Sequence, residues 1–266
     1  VSPLRAGCLA LAVEAGQAIL AVYAQDFAVE HKDDASPLTQ ADLAAHRIIV
    51  AGLQALAPDI PVLSEEDAGM PWSERQKWTR HWLVDPLDGT REFVKKNGEF
   101  TVNIALVDAG RPVLGVVYAP VPGMLMHAAA GEGAWLRTEA GDVAVTTRRP
   151  AALPLRVAAS RSHLDPRTAA ALGRMGETER IGLGSSLKFC RIAEGLVDVY
   201  PRFGPTSEWD TAAAQCVLEE AGGAVLRLDG QPLDYNRKES LLNPDFIALG
   251  DPSLPWRDWL EAAAHG

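Results

Sequence analysis

The stretch from Trp82 to Thr90 constrains this chain more than any other part of it. Trp82, Leu83 and Val84 form an apolar run that predicts a buried strand. Two carboxylates follow, Asp85 and Asp88, separated by Pro86 and Leu87, and Gly89 and Thr90 come directly after. A strand that ends in two acids and a proline-set turn gathers hard oxygen donors in one place, and such oxygens are the preferred ligands of Mg2+. The glycine lets backbone amides come close, and a helix starting there would favour a phosphate. Asp-Pro and Asp-Gly are also ordinary turn formers, so this stretch alone leaves a plain turn open.

Two further acidic clusters narrow the choice toward metal-dependent phosphoryl chemistry. Glu65, Glu66 and Asp67 follow the short apolar run Ile60–Leu63. Trp209 and Asp210 open a segment in which Ala213, Ala214, Val217, Leu218 and Ala221 recur at helical spacing. Asp210 therefore lies near a helix start, where the dipole favours an acid and where a plain N-cap is the simplest reading.

The ordered set Glu65-Glu66, Asp85 to Thr90 and Trp209-Asp210 resembles the inositol monophosphatase superfamily of magnesium-dependent, lithium-sensitive phosphatases. Within it the chain is similar to the CysQ-type 3'(2'),5'-bisphosphate nucleotidases. That likeness runs from about residue 5 to about 250. It rests on Leu63–Asp67, Asn97–Ala105, Ser160–His163, Gly184–Cys190 and Tyr200–Pro205.

The resemblance implies an α/β (α+β) fold, a layered α-β-α-β-α sandwich, formed as a single catalytic unit over 1–266 with packed halves at roughly 1–150 and 151–266. It implies two or three Mg2+ ions held by Glu65, Asp85, Asp88 and Asp210, with the backbone carbonyl of Leu87. Two such ions could clamp the attacking and leaving oxygens of an in-line displacement. Glu66 reads as a supporting or solvated acid. Water is the expected nucleophile, since no Cys or Ser has a convincing His partner, and the implied proton relay runs through the Thr90 hydroxyl to Asp42.

For the substrate, the resemblance assigns contacts to Gly89, Thr90, Ser160, His163, Gly184, Lys188 and Asp210. A glycine permits close backbone approach, and a lysine offers phosphate a point charge. Lys32 lies in a polar loop where the family places phosphate- or metal-contacting residues, or is simply solvated. Arg161 and Arg202 suit a 5'-phosphate, but arginines near turns are commonly surface residues and neither is assigned. Inositol-specific relatives carry an acid about seven residues before Asp210, and Phe203 stands there instead. The expected reaction is hydrolysis of 3'-phosphoadenosine 5'-phosphate, a by-product of sulfur metabolism, to AMP. Inositol phosphate or a sugar bisphosphate is the alternative substrate. A metal-free glycosidase and a non-catalytic binding protein are the readings from other classes. The segment Met70–Trp78, variable in length across the family, is expected to alter only a loop.

Composition sets outer bounds. A net charge of −10 with no basic stripe excludes a nucleic-acid-coating protein. Cys8, Cys190 and Cys216 show no metal or disulfide spacing, which fits a reducing, cytoplasmic setting. Leu9–Val22 is broken by Glu14 and Gln17, so a core helix is expected and no transmembrane segment. Peripheral attachment at the cytoplasmic face of the inner membrane stays open, as does the oligomeric state.

Apolar spacing predicts helices near 3–25 and 39–57. Strands are expected through Trp82–Val84 and at Phe100–Val107, Pro112–Tyr118, Met124–Ala129, Leu155–Ala159 and Val197–Tyr200. Further helices are expected at Asp165–Leu172, at Ser186–Glu194 and from Asp210 onward.

Overall fold

The chain opens with two helices that each begin at a proline, where the missing N–H would lack an intrahelical partner anyway. The structure, a computed structural model, describes residues 3–25, 37–159 and 165–260. α1 (Pro3–Tyr23) and α2 (Pro37–Leu56) occupy the two regions that the spacing predicts. Cys8, Ala12, Ala15 and Ile19 of α1 meet Ala41, Ala45, Ile49 and Leu53 of α2, all fully buried. By length and composition α1 is apolar enough to cross a membrane, because its alanines keep it apolar despite Glu14. Its packing against α2, β-sheet side chains and Leu125 instead makes it an outer layer of the core.

A large sheet follows. β1 (Val62–Ser64), the short α3 (Trp72–Arg75), β2 (Arg80–Asp88) and α4 (Thr90–Val94) lead into β3 (Thr101–Asp108), β4 (Arg111–Ala119), β5 (Met124–Ala129), β6 (Ala134–Thr138) and β7 (Gly141–Val145). The strands lie in chain order across one seven-stranded sheet. β1 and β2 are parallel, and every later pairing is antiparallel. Alternation along β2 sends Trp82 and Val84 toward α1 and α2, and Leu83 to the opposite face. β3 repeats this with Val102, Ile104 and Leu106 against Ala105 and Val107.

The remaining described chain comprises β8 (Leu155–Ala159), α5 (Pro166–Arg174), β9 (Thr178–Gly182), α6 (Leu187–Ala193), β10 (Val199–Arg202), α7 (Glu208–Glu220), β11 (Ala224–Arg227), β12 (Phe246–Leu249) and α8 (Trp256–Leu260). Its strands form a second sheet in the order β11-β12-β10-β8-β9. α6 and α7 fill the space between the sheets. Ala213, Val217 and Leu218 share one buried cluster with Val117 and Met126 of the large sheet and with Val225 and Phe246 of the small one. Leu172, Met175, Trp256 and Trp259 cover the outer face of the small sheet. Five layers result, helix, sheet, helix, sheet, helix, as the resemblance implies.

His81 shows what this burial costs. It is 1% exposed, and neither ring nitrogen has a hydrogen-bond partner among the described residues. Burial, with the Arg75 cation adding to it, pushes its imidazole down to about 4. The unfolded chain takes up this proton near the ordinary pKa of about 6.5, the folded chain only near the lowered value. Stability from this residue is therefore full above about pH 6.5 and is lost as pH falls toward 4, by roughly 3 kcal/mol. Urea denaturation of His81→Phe between these limits should show a flatter pH dependence than the parent; equal slopes would refute the assignment.

Candidate active site

The parallel pairing of β1 with β2 is what brings the first carboxylates together. Ser64 is in register with Val84, and the Glu65 N–H continues the ladder to the Val84 carbonyl at 3.1 Å. Because both strands run the same way, Glu65 and Asp85 leave the sheet at the same end. From α2, Nδ1 of His46 lies 2.9 Å from the Ser64 hydroxyl, fixing the residue before Glu65. Asp85 is 1% exposed, and its Oδ1 accepts from the Leu87 N–H at 3.0 Å, closing a turn across Pro86. The Leu87 side chain is buried in the cluster under α1 and α2, so only its main chain is available to a ligand.

Pairing of β2 with β3 slips between Asp85 and Asp88. Such an irregularity re-aims a side chain, and here it turns Asp88 into a cleft. Gly89 ends the strand at φ 95°, a left-handed conformation open to glycine at little cost. Exposed Thr90 begins α4, against which α2 packs, bringing the helix of Asp42 to the same end of the sheet. Asp42 itself is 7% exposed.

The opposite wall comes from the second half of the chain. Oδ2 of Asp88 accepts from the Ser186 N–H at 2.6 Å and lies 2.8 Å from the Ser186 hydroxyl. That hydroxyl is also 2.8 Å from the Asp210 carbonyl and accepts from Nδ2 of Asn103 at 2.9 Å. One hydroxyl thus joins β2, β3 and α7. Asp210 is not the cap of α7: Ser207 is, and Oδ2 of Asp210 accepts the Ser207 N–H at 2.9 Å in a reciprocal capping box. The box fixes the Asp210 rotamer.

Electrostatics tie these acids into one group. Burial pushes the Asp85 carboxyl well above the usual range, and the charges of Asp88, Glu65, Asp210 and Asp42 push it further. Asp210 is pushed up to about 7, by burial first and then by Asp88 and Glu65, against the opposing Ser207 hydrogen bond and Arg202. Among the described residues no three His, Cys, Asp or Glu side chains stand together as a ready-made metal-binding group. The cluster is instead open, all hard oxygen, and strained by like charges. That donor chemistry fits a hard divalent cation, which usually completes its shell with water and substrate phosphate.

The cleft has a volume of about 790 Å³. Asp88, Gly89 and Thr90 line it from the first half of the chain, and Lys188, Tyr200, Arg202, Phe203 and Asp210 from the second. Asp42, Asp85 and Leu87 are buried and Glu65 is exposed, and none of the four is among the residues that line the cleft. Lys188 donates from Nζ to the Ser185 carbonyl at 2.9 Å and rests 5.2 Å from the centre of the Tyr200 ring. Gly184 also lines the cleft. Its N–H is committed to Oε2 of Glu99 at 2.8 Å, and a Cβ there would stand 2.5 Å from Cγ of Glu92. Packing against Glu92 and the Glu99 carbonyl leaves no room for a side chain at this position. Ser160, His163, Lys32 and Arg161 lie outside the described residues. Sequence reasoning missed Ser186 and Asn103. The only hint was that Ser186 starts a helical pattern, a common place for a side-chain hydrogen bond.

A five-layer sandwich with an open carboxylate cluster between its sheets is the architecture of a metal-dependent phosphatase, and the chain belongs to the inositol monophosphatase family, whose pattern matches residues 1–253. Family members use divalent metal ions. Among its relatives, the 3'(2'),5'-bisphosphate nucleotidase CysQ of Shigella flexneri is 54% identical over 238 residues, which is 89% of this chain and 95% of that protein. The protein of the same description from Escherichia coli strain K12 is 53% identical over 238 residues, again 89% and 95% of the two chains. Of solved structures, CysQ from Bacteroides thetaiotaomicron matches with a TM-score of 0.85 at 42% identity, over 92% of this chain and 96% of that one. An inositol monophosphatase from Zymomonas mobilis matches at 0.78 and 25% identity, over 97% and 96%.

Proposed function

We propose that this protein is a magnesium-dependent 3'(2'),5'-bisphosphate nucleotidase that hydrolyses the 3'-phosphate of 3'-phosphoadenosine 5'-phosphate to AMP and phosphate. The observation that carries the reading is the 54% identity to a CysQ nucleotidase across 95% of that protein's length. Phe203, 8% exposed, lines the cleft where inositol-specific relatives would present an acid, which agrees with a nucleotide in place of a polyol.

In this reading the chain works as one catalytic unit of two packed halves. Two or three Mg2+ would be held by Glu65, Asp85, Asp88, Asp210 and the Leu87 carbonyl. Bound there, divalent ions supply Lewis acidity toward the phosphoryl oxygens and lower the pKa of water. The residues around them do the rest. Ser186 keeps Asp88 and the first turn of α7 from separating under their mutual repulsion. Thr90 takes the proton of the attacking water and passes its own to Asp42, a general-base relay. Lys188 places a positive charge on the wall facing the phosphate. Water is the nucleophile because the thiols are withdrawn: burial pushes Cys8 up to about 12 and raises Cys190 and Cys216 further. Three free, buried cysteines also support a cytoplasmic location.

Phosphate release from 3'-phosphoadenosine 5'-phosphate and from inositol 1-phosphate, side by side, tests this directly. The nucleotide should be preferred with magnesium, and the activity should vanish in EDTA. Preference for inositol phosphate would overturn the substrate, and turnover surviving EDTA would overturn the chemistry.

A further inference from the structure

The first turn of α7 is held from outside the carboxylate cluster by a segment that carries none of the site residues. Glu208, two residues before Asp210, is fully buried. Its Oε2 accepts the Asn236 N–H at 2.7 Å, and its Oε1 accepts from Nζ of Lys238 at 3.0 Å. The Glu208 N–H in turn donates to the Leu241 carbonyl at 2.8 Å. Asn243 extends the grip, donating from its backbone to the Thr206 carbonyl and from Nδ2 to the Ser207 carbonyl, both at 2.8 Å.

This segment is itself anchored to α3. Nη1 of Arg75, a residue 3% exposed, donates to Oδ1 of Asn236 at 2.9 Å and to the Lys238 carbonyl at 3.2 Å. Its Nη2 donates to the Glu239 carbonyl. Nδ2 of Asn236 returns a bond to the Arg75 carbonyl at 2.6 Å. α3 lies on the connection between β1 and β2, that is, between Glu65 and Asp85. A chain of buried hydrogen bonds therefore runs from the connection between Glu65 and Asp85 to the helix start that carries Asp210. The segment Met70–Trp78 is accordingly more than a loop, contrary to expectation.

We propose that Arg75, Asn236 and Glu208 form a brace of positioning residues that sets where Asp210 stands relative to Asp85 and Asp88, and so tunes divalent-cation affinity. The proposal rests on the reading of Asp210 as a metal ligand. Asp210 faces like charges on Asp88 and Glu65, so an unbraced helix start would move away from them. Residues behind metal ligands commonly matter to affinity by about 10- to 100-fold.

Asn236→Gly is the discriminating variant. Asn236 has φ 51°, a conformation glycine adopts freely, so the change deletes both amide bonds to Arg75 without backbone strain. Lys238→Met, at a half-exposed position, removes the cationic partner of Glu208 by a second route. Mn2+ binding by calorimetry, without substrate, should weaken about tenfold in Asn236→Gly. The Mg2+ concentration for half-maximal activity should rise in parallel, with kcat at saturating Mg2+ changed by less than about twofold. Both variants binding Mn2+ as the parent does, even with lowered melting temperatures, would reduce the brace to a merely structural element. A parent protein showing no Mn2+ binding that Asp210→Asn removes would overturn the ligand reading, and the brace with it.

Discussion

Asp85→Asn should lower kcat/KM by about a thousandfold and yet raise the melting temperature of the metal-free protein near neutral pH. The two effects share one cause. Asp85 is buried among Asp88, Glu65, Asp210 and Asp42, and both burial and those charges favour its protonated form. A carboxyl whose folded pKa is raised binds more protons folded than unfolded, so its contribution to stability falls as pH rises above the ordinary value of 3.8. Asparagine keeps the acceptor for the Leu87 N–H and sheds the charge. Added Mg2+ should reverse the order, because a ligand that binds only the folded state stabilises it in proportion to ln(1 + [L]/Kd). Melting curves with and without Mg2+, alongside phosphate release, read both effects. An Asp85→Asn protein with the parent's Mg2+-induced shift would remove Asp85 from the ligand set.

Thr90→Val should give the opposite separation, with kcat reduced by about 10²- to 10⁴-fold and the Mg2+-induced melting shift intact. Thr90 is exposed as the first residue of α4, so losing its hydroxyl costs the fold little. Asp42→Asn should show a similar kinetic loss. The double variant should be hardly worse than either single one, since two residues that move one proton act as a unit. Multiplicative losses would argue that Thr90 and Asp42 act separately.

The order of the five layers came from the family resemblance, and single elements were legible where strands are apolar on both faces or helices carry a buried stripe. Met124–Ala129 and Leu155–Ala159 coincide with β5 and β8, because each is buried along nearly its whole length. β7 and β9 escaped for the converse reason. Gly141–Val145 is exposed at four of five positions, and Thr178–Gly182 carries Glu179 and Arg180 outward, so neither shows the apolar alternation of a strand. Both are edge strands, defined by the neighbour they pair with and not by their own residues. At the site, the acids could be found because their types are unusual together. Ser186, Asn103 and Glu208 could not, because a serine before a helix, an asparagine in a strand and a glutamate opening a helix are ordinary until long-range contacts form. The capping role likewise fell on Asp210 in the sequence, where Ser207 holds it in the structure.

The pairing of parallel β1 with β2 at one wall, and the sidedness of the cleft, also bear on how such a protein can change over time. The acids of the cluster, apart from Asp210, are encoded between residues 42 and 90, and the aromatic and cationic residues that line the cleft between 188 and 203. Drift in the later stretch can reshape what is admitted without disturbing the earlier one, provided Ser186 still bridges the two. New substrates would then be acquired by exchanging a wall, with the hydrolytic chemistry inherited unchanged.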